Sequence, residues 1–143
     1  MAEGDWQQVE PGARVVRQAV FVVEQAVAPA LEWDAIDARA THVLISDIDA
    51  APCATGRLFA DTEPGVMRIG RLAVLKHLRG RGLGDAVLVR LLKRAAEQGG
   101  TRAVLHAQTH AVGFYLRRGF TASGAEFIED GIPHVRMSRR LPA

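Results

Sequence analysis

Three glycines within five residues, Gly80, Gly82 and Gly84, separate an alternating strand-like run, Val66 to Leu75, from a helix-patterned run that opens at Leu83. A strand that turns through glycines directly into an amphipathic helix predicts a strand–loop–helix crossover, hence a parallel pair of strands inside an α/β fold. The corner itself predicts an anion site. Glycine removes the Cβ that would keep a ligand off the backbone, the first helical turn has N–H groups without intrahelical partners, and the helix dipole favours negative charge there. Spacing limits which phosphate ligand is meant. A P-loop would need Lys and Ser or Thr after its last glycine, and Asp85 and Ala86 follow Gly84 instead. A dinucleotide fingerprint needs a two-residue final gap, and only Leu83 separates Gly82 from Gly84. Taken alone, the loop also suits an ordinary glycine-rich turn or a basic RNA-binding stretch.

The elements around the corner can be read from periodicity. Leu83, Val87, Leu88, Leu91, Leu92 and Ala95 form one apolar stripe against Asp85, Arg90, Lys93, Arg94 and Glu97, and Gly99-Gly100 supplies the stop. Each such side chain contributes roughly 1.5–3 kcal/mol on burial, so the stripe is structural and holds the corner rigid. Ala103 to Ala107 reads as the strand parallel to Val66–Leu75. In the latter, Val66, Arg68, Gly70, Leu72 and Val74 are expected on one face and Met67, Ile69, Arg71 and Ala73 on the other, with Gly70 marking a bulge or a close approach. Upstream, Gly12 to Gln25 reads as the first helix with Pro11 at its start, and Pro29 to Thr41 as a loop with one short helical turn. Thr41–Ser46 and Ala54–Ala60 read as a hairpin across Asp47–Pro52, followed by a turn at Thr62–Gly65. Downstream, Thr109 is placed as the N-cap of a helix from His110 to Arg118 closed by Gly119. Phe120–Ile128 and Pro133–Ser138 then form a hairpin about Asp130-Gly131.

With 143 residues, the chain fits one domain, residues 1–143, able to bury a core unaided. Hydrophobic residues at 48% and charged residues at 24% exclude disordered and fibrous classes. No apolar run is long enough to span a membrane, and Met1 to Val9 lacks a signal-peptide pattern, so a cytoplasmic location without membrane partners is expected. Cys53 is the single cysteine, flanked by Pro52 and Ala54, and reads as a structural thiol. The five histidines lack a zinc-type spacing, so no metal is expected. A net charge of +2 argues against nucleic acid. Arg79, Arg81, Arg117 and Arg118 are not interleaved with aromatics as a nucleic-acid surface would require.

Arg79-x-x-Gly82-x-Gly84 between strand and helix resembles the acyl-CoA pyrophosphate loop of the GCN5-related N-acetyltransferase (GNAT) family. The resemblance extends along nearly the whole chain and points to the ElaA-like branch. It is carried by Val20-Phe21-Val22-Val23-Glu24-Gln25, Asp34, Asp37, His42, Arg71-Leu72-Ala73-Val74, Ala107-Gln108, Phe114-Tyr115, Gly119-Phe120 and Asp130-Gly131-Ile132-Pro133-His134. It implies the GNAT acyl-CoA N-acyltransferase fold, a mixed, mostly antiparallel sheet flanked by helices, with its central parallel strands splayed apart. The implied reaction is direct acetyl transfer from acetyl-CoA to a primary amine of a small molecule or peptide. A catalytically inactive CoA-binding regulatory module is the alternative.

By the same resemblance, backbone groups of Leu72, Ala73 and Val74 would pair with the pantetheine arm. Amides of Arg81, Gly82, Leu83 and Gly84, in the loop that also carries Arg79 and Gly80, would hold the diphosphate. Gln108, where most relatives have Asn, would touch CoA or orient substrate. Tyr115 matches the family's general acid, although packing alone would also explain a tyrosine there. Many relatives carry a Glu base on the strand that here bears Arg68 and Arg71. The base is therefore sought among Glu24, His106, His110, Glu126, Glu129 and His134, with His134 preferred for its place in the branch motif. Glu24, Glu126 and Glu129 would suit a cationic amine, whereas Arg68 and Arg71 would suit an acceptor bearing carboxylate or phosphate. Members of the family often dimerise, so a homodimer is implied, without an independent signal in these residues.

Overall fold

Apolar alternation in the strands and the single stripe on the long helix produce a seven-stranded sheet with helices on both faces. The computed structural model describes residues 1–142, the side chains of residues 30 and 31 excepted. The strands are β1 (Ala2–Gly4), β2 (Thr41–Ser46), β3 (Pro52–Ala60), β4 (Val66–Val74), β5 (Arg102–Gln108), β6 (Thr121–Glu129) and β7 (Ile132–Arg140), in the order β1-β2-β3-β4-β5-β7-β6. All neighbours are antiparallel except β4 and β5, the parallel pair expected from the crossover. Helix α3 (Leu83–Glu97) makes that crossover, and its Val87, Leu88, Leu91 and Leu92 pack on Met67, Ile69, Leu105 and Met137 to form the main core. A second cluster on the opposite face joins Val16, Val20, Phe21 and Ala73. The β6–β7 turn has positive φ at both Asp130 and Gly131, as the Asp-Gly signal predicts.

The first helix departs from the sequence expectation. α1 runs over Trp6–Arg17, not from Gly12, because Asp5 caps it: its carboxylate accepts from the Gln8 amide and the Gln8 side chain accepts from the Asp5 amide. Pro11 therefore lies inside the helix rather than at its start. The chain continues without a break into a π-helical segment, Gln18–Glu24. Strand β1, which pairs with β2, carries no sequence signal of its own in three residues. The Pro29–Thr41 stretch holds two short turns, α2 (Pro29–Glu32) and a 3-10 turn (Ala35–Arg39). Near the other end, Thr109 is not a helix cap. It begins a 3-10 turn (Thr109–Ala111) that leads into α4 (Val112–Leu116).

The bulge expected at Gly70 lies immediately beyond it. Arg57 pairs with Gly70 but Thr55 pairs with Ala73, so β4 carries one extra residue opposite Gly56. A side chain at Gly56 would place its Cβ 2.8 Å from Val87 Cγ1, so only glycine lets α3 lie this close to the strand. Arg71 adopts φ +51 in the bulge, and the two faces of β4 exchange there. Met67 and Ile69 face α3 before the bulge, and Leu72 and Val74 face it afterwards. The uninterrupted alternation expected from sequence is thus corrected. Arg71 is tied to Glu32 Oε2 (3.2 Å) and Asp34 Oδ2 (3.5 Å).

Those carboxylates belong to a buried ionic network on the face away from α3. Arg17, 1% exposed, donates to Glu32 Oε2 at 2.6 Å and to Asp37 Oδ1 at 2.8 Å. Arg57 reaches Asp34 and the same Asp37 oxygen at 2.7 and 2.9 Å. His42 is buried beside it, with Nε2 donating to the Asp37 carbonyl at 3.0 Å. Burial lowers the His42 pKa despite that hydrogen bond. A depressed histidine contributes stability that is present above its unfolded value, about 6.5, and is lost as pH falls. The melting temperature is therefore expected to drop more steeply between about pH 6.5 and 5 in the native protein than in His42→Gln. Superimposable slopes in thermal melts would exclude the assignment.

Candidate active site

Pairing between β4 and β5 ends at Ile69 and Leu105. Beyond it β4 continues to Val74 and β5 to Gln108, so the strands part and leave a cleft of ≈ 1260 Å³ between them. Leu72, Ala73 and Val74 line one wall, and His106 and Gln108 the other. On its β3 side the strand stays paired at Ala73 and Val74, so the edge released is the one that faces β5. The Val74 carbonyl is not released with it, because it accepts from Arg79 Nε at 3.1 Å.

At the foot of the cleft is the glycine corner. Gly82, with φ +79, stands at the N-cap of α3, and neither it nor Gly80, with φ +81, would bring a Cβ within 4 Å of any atom. The positive φ demands glycine, and the space outside is open. Arg79 is engaged. Its terminal nitrogens meet Glu24 at 2.6 and 2.7 Å, which ties the corner to the π-helical segment. The Arg79 hydrogen bond holds the Glu24 carboxyl below the ordinary range. Glu24 thus lines the cleft as the ion-pair partner of Arg79. Arg81 is exposed and outside the cleft lining.

Tyr115 lines the cleft from α4, its ring edge-on to Phe114 (5.0 Å) and Phe120 (5.8 Å). Burial pushes its phenol up to about 12, so the hydroxyl keeps its proton across the physiological range. Gln108 forms a reciprocal amide pair with Gln25, at 3.1 and 2.8 Å, that bridges β5 to the end of the π segment.

The remaining candidates converge on the terminal hairpin. His134 is buried and donates Nδ1–H to the Ile132 carbonyl at 2.6 Å, which leaves Nε2 as the basic nitrogen when the ring is neutral. Nε2 lies 3.9 Å from Glu129 Oε2, while Glu129 Oε1 meets His106 Nδ1 at 3.1 Å. Phe127 packs edge-on to the His106 ring and stacks with His134. The His106 hydrogen bond, ahead of the opposing burial, holds the Glu129 carboxyl below its usual range. Glu126 does not join this group. Glu129 lines the cleft and Phe127, on the same face of β6, packs on His106 and His134, so Glu126, one residue out of phase, is exposed outside the lining. His110 lines the cleft nearer Glu24. Sequence reasoning missed Gln25 as the partner of Gln108, and Phe59, Asp61 and Asp130 as lining. Phe59 in an apolar strand carries no signal that separates a core from a cleft residue.

Residues 7–141 match the family model described as "Acetyltransferase (GNAT) domain". The chain belongs to the GNAT family. It is 36% identical over 125 residues to the uncharacterized N-acetyltransferase YjcF of Bacillus subtilis, covering 87% of each chain. Among solved structures it resembles an acyl-CoA N-acyltransferase from Pseudomonas aeruginosa (TM-score 0.84, 29% identity, 96% and 97% of the two chains). It likewise resembles Escherichia coli ElaA (TM-score 0.84, 28% identity, 96% and 97%). The protein is accordingly an N-acetyltransferase of the ElaA-like type, and the cleft between the splayed GNAT strands is its candidate active site. No metal-holding group of His, Cys, Asp or Glu occurs among the described residues. None of its described helices is long and apolar enough to cross a membrane.

Proposed function

We propose that this single-domain protein transfers an acetyl group from acetyl-CoA directly to a primary amine. The observation that carries this reading is the unpaired gap between β4 and β5 that ends at the glycine corner. An extended, amide-bearing arm suits such a gap because it offers hydrogen-bond partners to a strand edge that lacks them. The open space beside Gly80 and Gly82 and the unpaired amides opening α3 suit a diphosphate. Arg79, already bonded to Val74 and Glu24, acts by fixing the loop, so main-chain amides supply the principal anion contacts. The likeness to the P. aeruginosa acyl-CoA N-acyltransferase supports a CoA thioester as donor.

The thioester supplies an activated acetyl group: a C–N bond forms to the acceptor as the C–S bond breaks, and the amine must lose one proton. His134 Nε2 is the proposed recipient of that proton. The Ile132 carbonyl fixes its tautomer, and Glu129 stands 3.9 Å away to favour the charged ring once it forms. His106 positions Glu129. The Tyr115 hydroxyl donates to the departing sulfur, which ends as the free thiol after solvent returns the proton.

Two measurements test the reading. Calorimetry is expected to detect acetyl-CoA binding, and a thiol-release assay over an amine panel is expected to identify turnover. His134→Gln should lower kcat about 100-fold or more, with part of the loss recovered at alkaline pH, where the acceptor is already neutral. Binding without turnover for any amine would favour the regulatory module, and no binding would end the proposal.

A further inference from the structure

We propose that Arg68 docks an oxyanion, a carboxylate or phosphate, carried by the acceptor, so that the natural acceptor is an amine at one end and an anion at the other. This rests on the transferase reading above. The arginines of β4 differ in their partners. Arg71 is bound to Glu32 and Asp34, whereas Arg68 forms no ion pair among the described residues. Arg68 is half-buried in the cleft lining, and its buried Nε–H has no acceptor there.

Among the described residues, the one polar contact of Arg68 is Nη2 to His106 Nδ1 at 3.4 Å. That nitrogen cannot also serve Glu129 in the same tautomer. Glu129 is nearer, at 3.1 Å, and a carboxylate requires the N–H, so Nδ1 carries the proton and offers Arg68 no lone pair. Burial pulls the Arg68 pKa down against the charges of Asp61 and Glu129, neither of which forms an ion pair with it, and Arg136 and Arg57 repel it. Beside it, Phe59 packs against the guanidiniums of Arg68, Arg57 and Arg39, at 5.7, 5.5 and 5.1 Å. Arg57 is held by Asp34 and Asp37 through its terminal nitrogens, although its buried Nε also lacks an acceptor. Arg39 is exposed and donates to the Ala60 carbonyl, so Arg68 is the half-buried member of this group without an ion pair among the described residues. It flanks the His106–Glu129–His134 cluster, so a short acceptor can span from its guanidinium to the proposed base. Glu129 is committed to both histidines and is poorly placed to attract a polycation instead.

The test compares β-alanine, O-phosphoethanolamine, propylamine and spermidine in the thiol-release assay, with Arg68→Gln beside the native protein. The native enzyme should favour at least one anionic amine over propylamine by about 10- to 100-fold in kcat/KM. Arg68→Gln should abolish that preference through KM, with the anionic amines losing far more than propylamine. The first two amines distinguish carboxylate from phosphate. A preference for propylamine or spermidine, or an equal loss for all four amines in Arg68→Gln, would overturn the inference while leaving the transferase reading intact. A second readout needs no turnover. Removing a half-buried cation that has no ion-pair partner among the described residues in Arg68→Met should raise the melting temperature, and the anionic amines should stabilise the native protein but not this variant. Stabilisation by anions without thiol release would sink the transferase reading and keep the oxyanion site. A destabilised Arg68→Met with no anion effect would assign Arg68 a structural role.

Discussion

Tyr115→Phe is expected to lower kcat by about 100- to 1,000-fold, the cost of removing one preorganised donor to developing negative charge, while acetyl-CoA affinity and melting temperature change little. The ring packs edge-on between Phe114 and Phe120 and keeps those contacts as phenylalanine, so the substitution isolates the hydroxyl. A phenol held near 12 is a weak acid beside a thiol of about 8.5, and complete proton transfer to the sulfur would be uphill by about 5 kcal/mol. The chemistry left to Tyr115 is a hydrogen bond that strengthens as the C–S bond breaks. That distinction has a kinetic signature. Because the phenol is protonated throughout the working range, the variant should lose rate evenly with pH and keep the native shape of the profile. A kcat within about threefold of native, measured by stopped thiol-release assays, would reduce Tyr115 to a packing residue, since a lost donor costs far more.

The parts of the structure legible from sequence are those in which local pattern and global fold agree. The stripe on α3, the glycine corner, the parallel β4–β5 pair and the Asp-Gly hairpin each follow from one periodicity or one turn signal, and each is found in place. What escaped depends on contacts between distant residues. The start of α1 is set by the reciprocal Asp5–Gln8 cap, which outweighs the helix-start preference of Pro11. The bulge displaces the facing of Leu72 and Val74 because β4 takes an extra residue against β3, which no single-strand alternation reveals. In the site, the residues named from resemblance mostly converge on one cleft, whereas their pairing does not show in a linear chain. Glu24 bonds Arg79 across 55 positions and Gln25 bonds Gln108 across 83. The same limit explains the acidic residues of α2 and of the 3-10 turn that follows it. A loop-like stretch carries no periodicity that would mark burial, yet Glu32 and Asp37 are buried because arginines on three other elements meet them.

Arg17→Met is expected to destabilise the fold by about 3–5 kcal/mol, the cost of leaving buried carboxylates without a cation. The network balances Arg17, Arg57 and Arg71 against Glu32, Asp34 and Asp37. Methionine keeps an apolar side chain of similar length while deleting the charge and the guanidinium contacts over the Trp6 and Trp33 rings. Burial already pushes the Glu32 carboxyl up against the pull of Arg71 and Arg17, and without Arg17 it rises further. A raised carboxyl contributes stability below its unfolded value, about 4.3, and loses it as pH rises through the folded one. The deficit of the variant relative to the native protein should therefore shrink toward mild acid. Asp34 behaves oppositely. Burial pulls its carboxyl upward but Arg57 holds it below the usual range, so its contribution is present at neutral pH and lost in acid in both proteins. Adding Glu32→Leu should recover more than half of the loss by restoring charge balance in an apolar setting. The effect should also reach the cleft, because Glu32 and Asp34 clamp Arg71 in its left-handed conformation at the bulge that turns Leu72 to Val74 toward the cleft. Denaturant titration gives the stability change and calorimetry the accompanying loss of acetyl-CoA affinity. Unchanged affinity in a destabilised variant would mean that strand pairing alone sets the bulge, and a loss below about 1 kcal/mol, the range of exposed pairs, would mean that the network is not buried in solution.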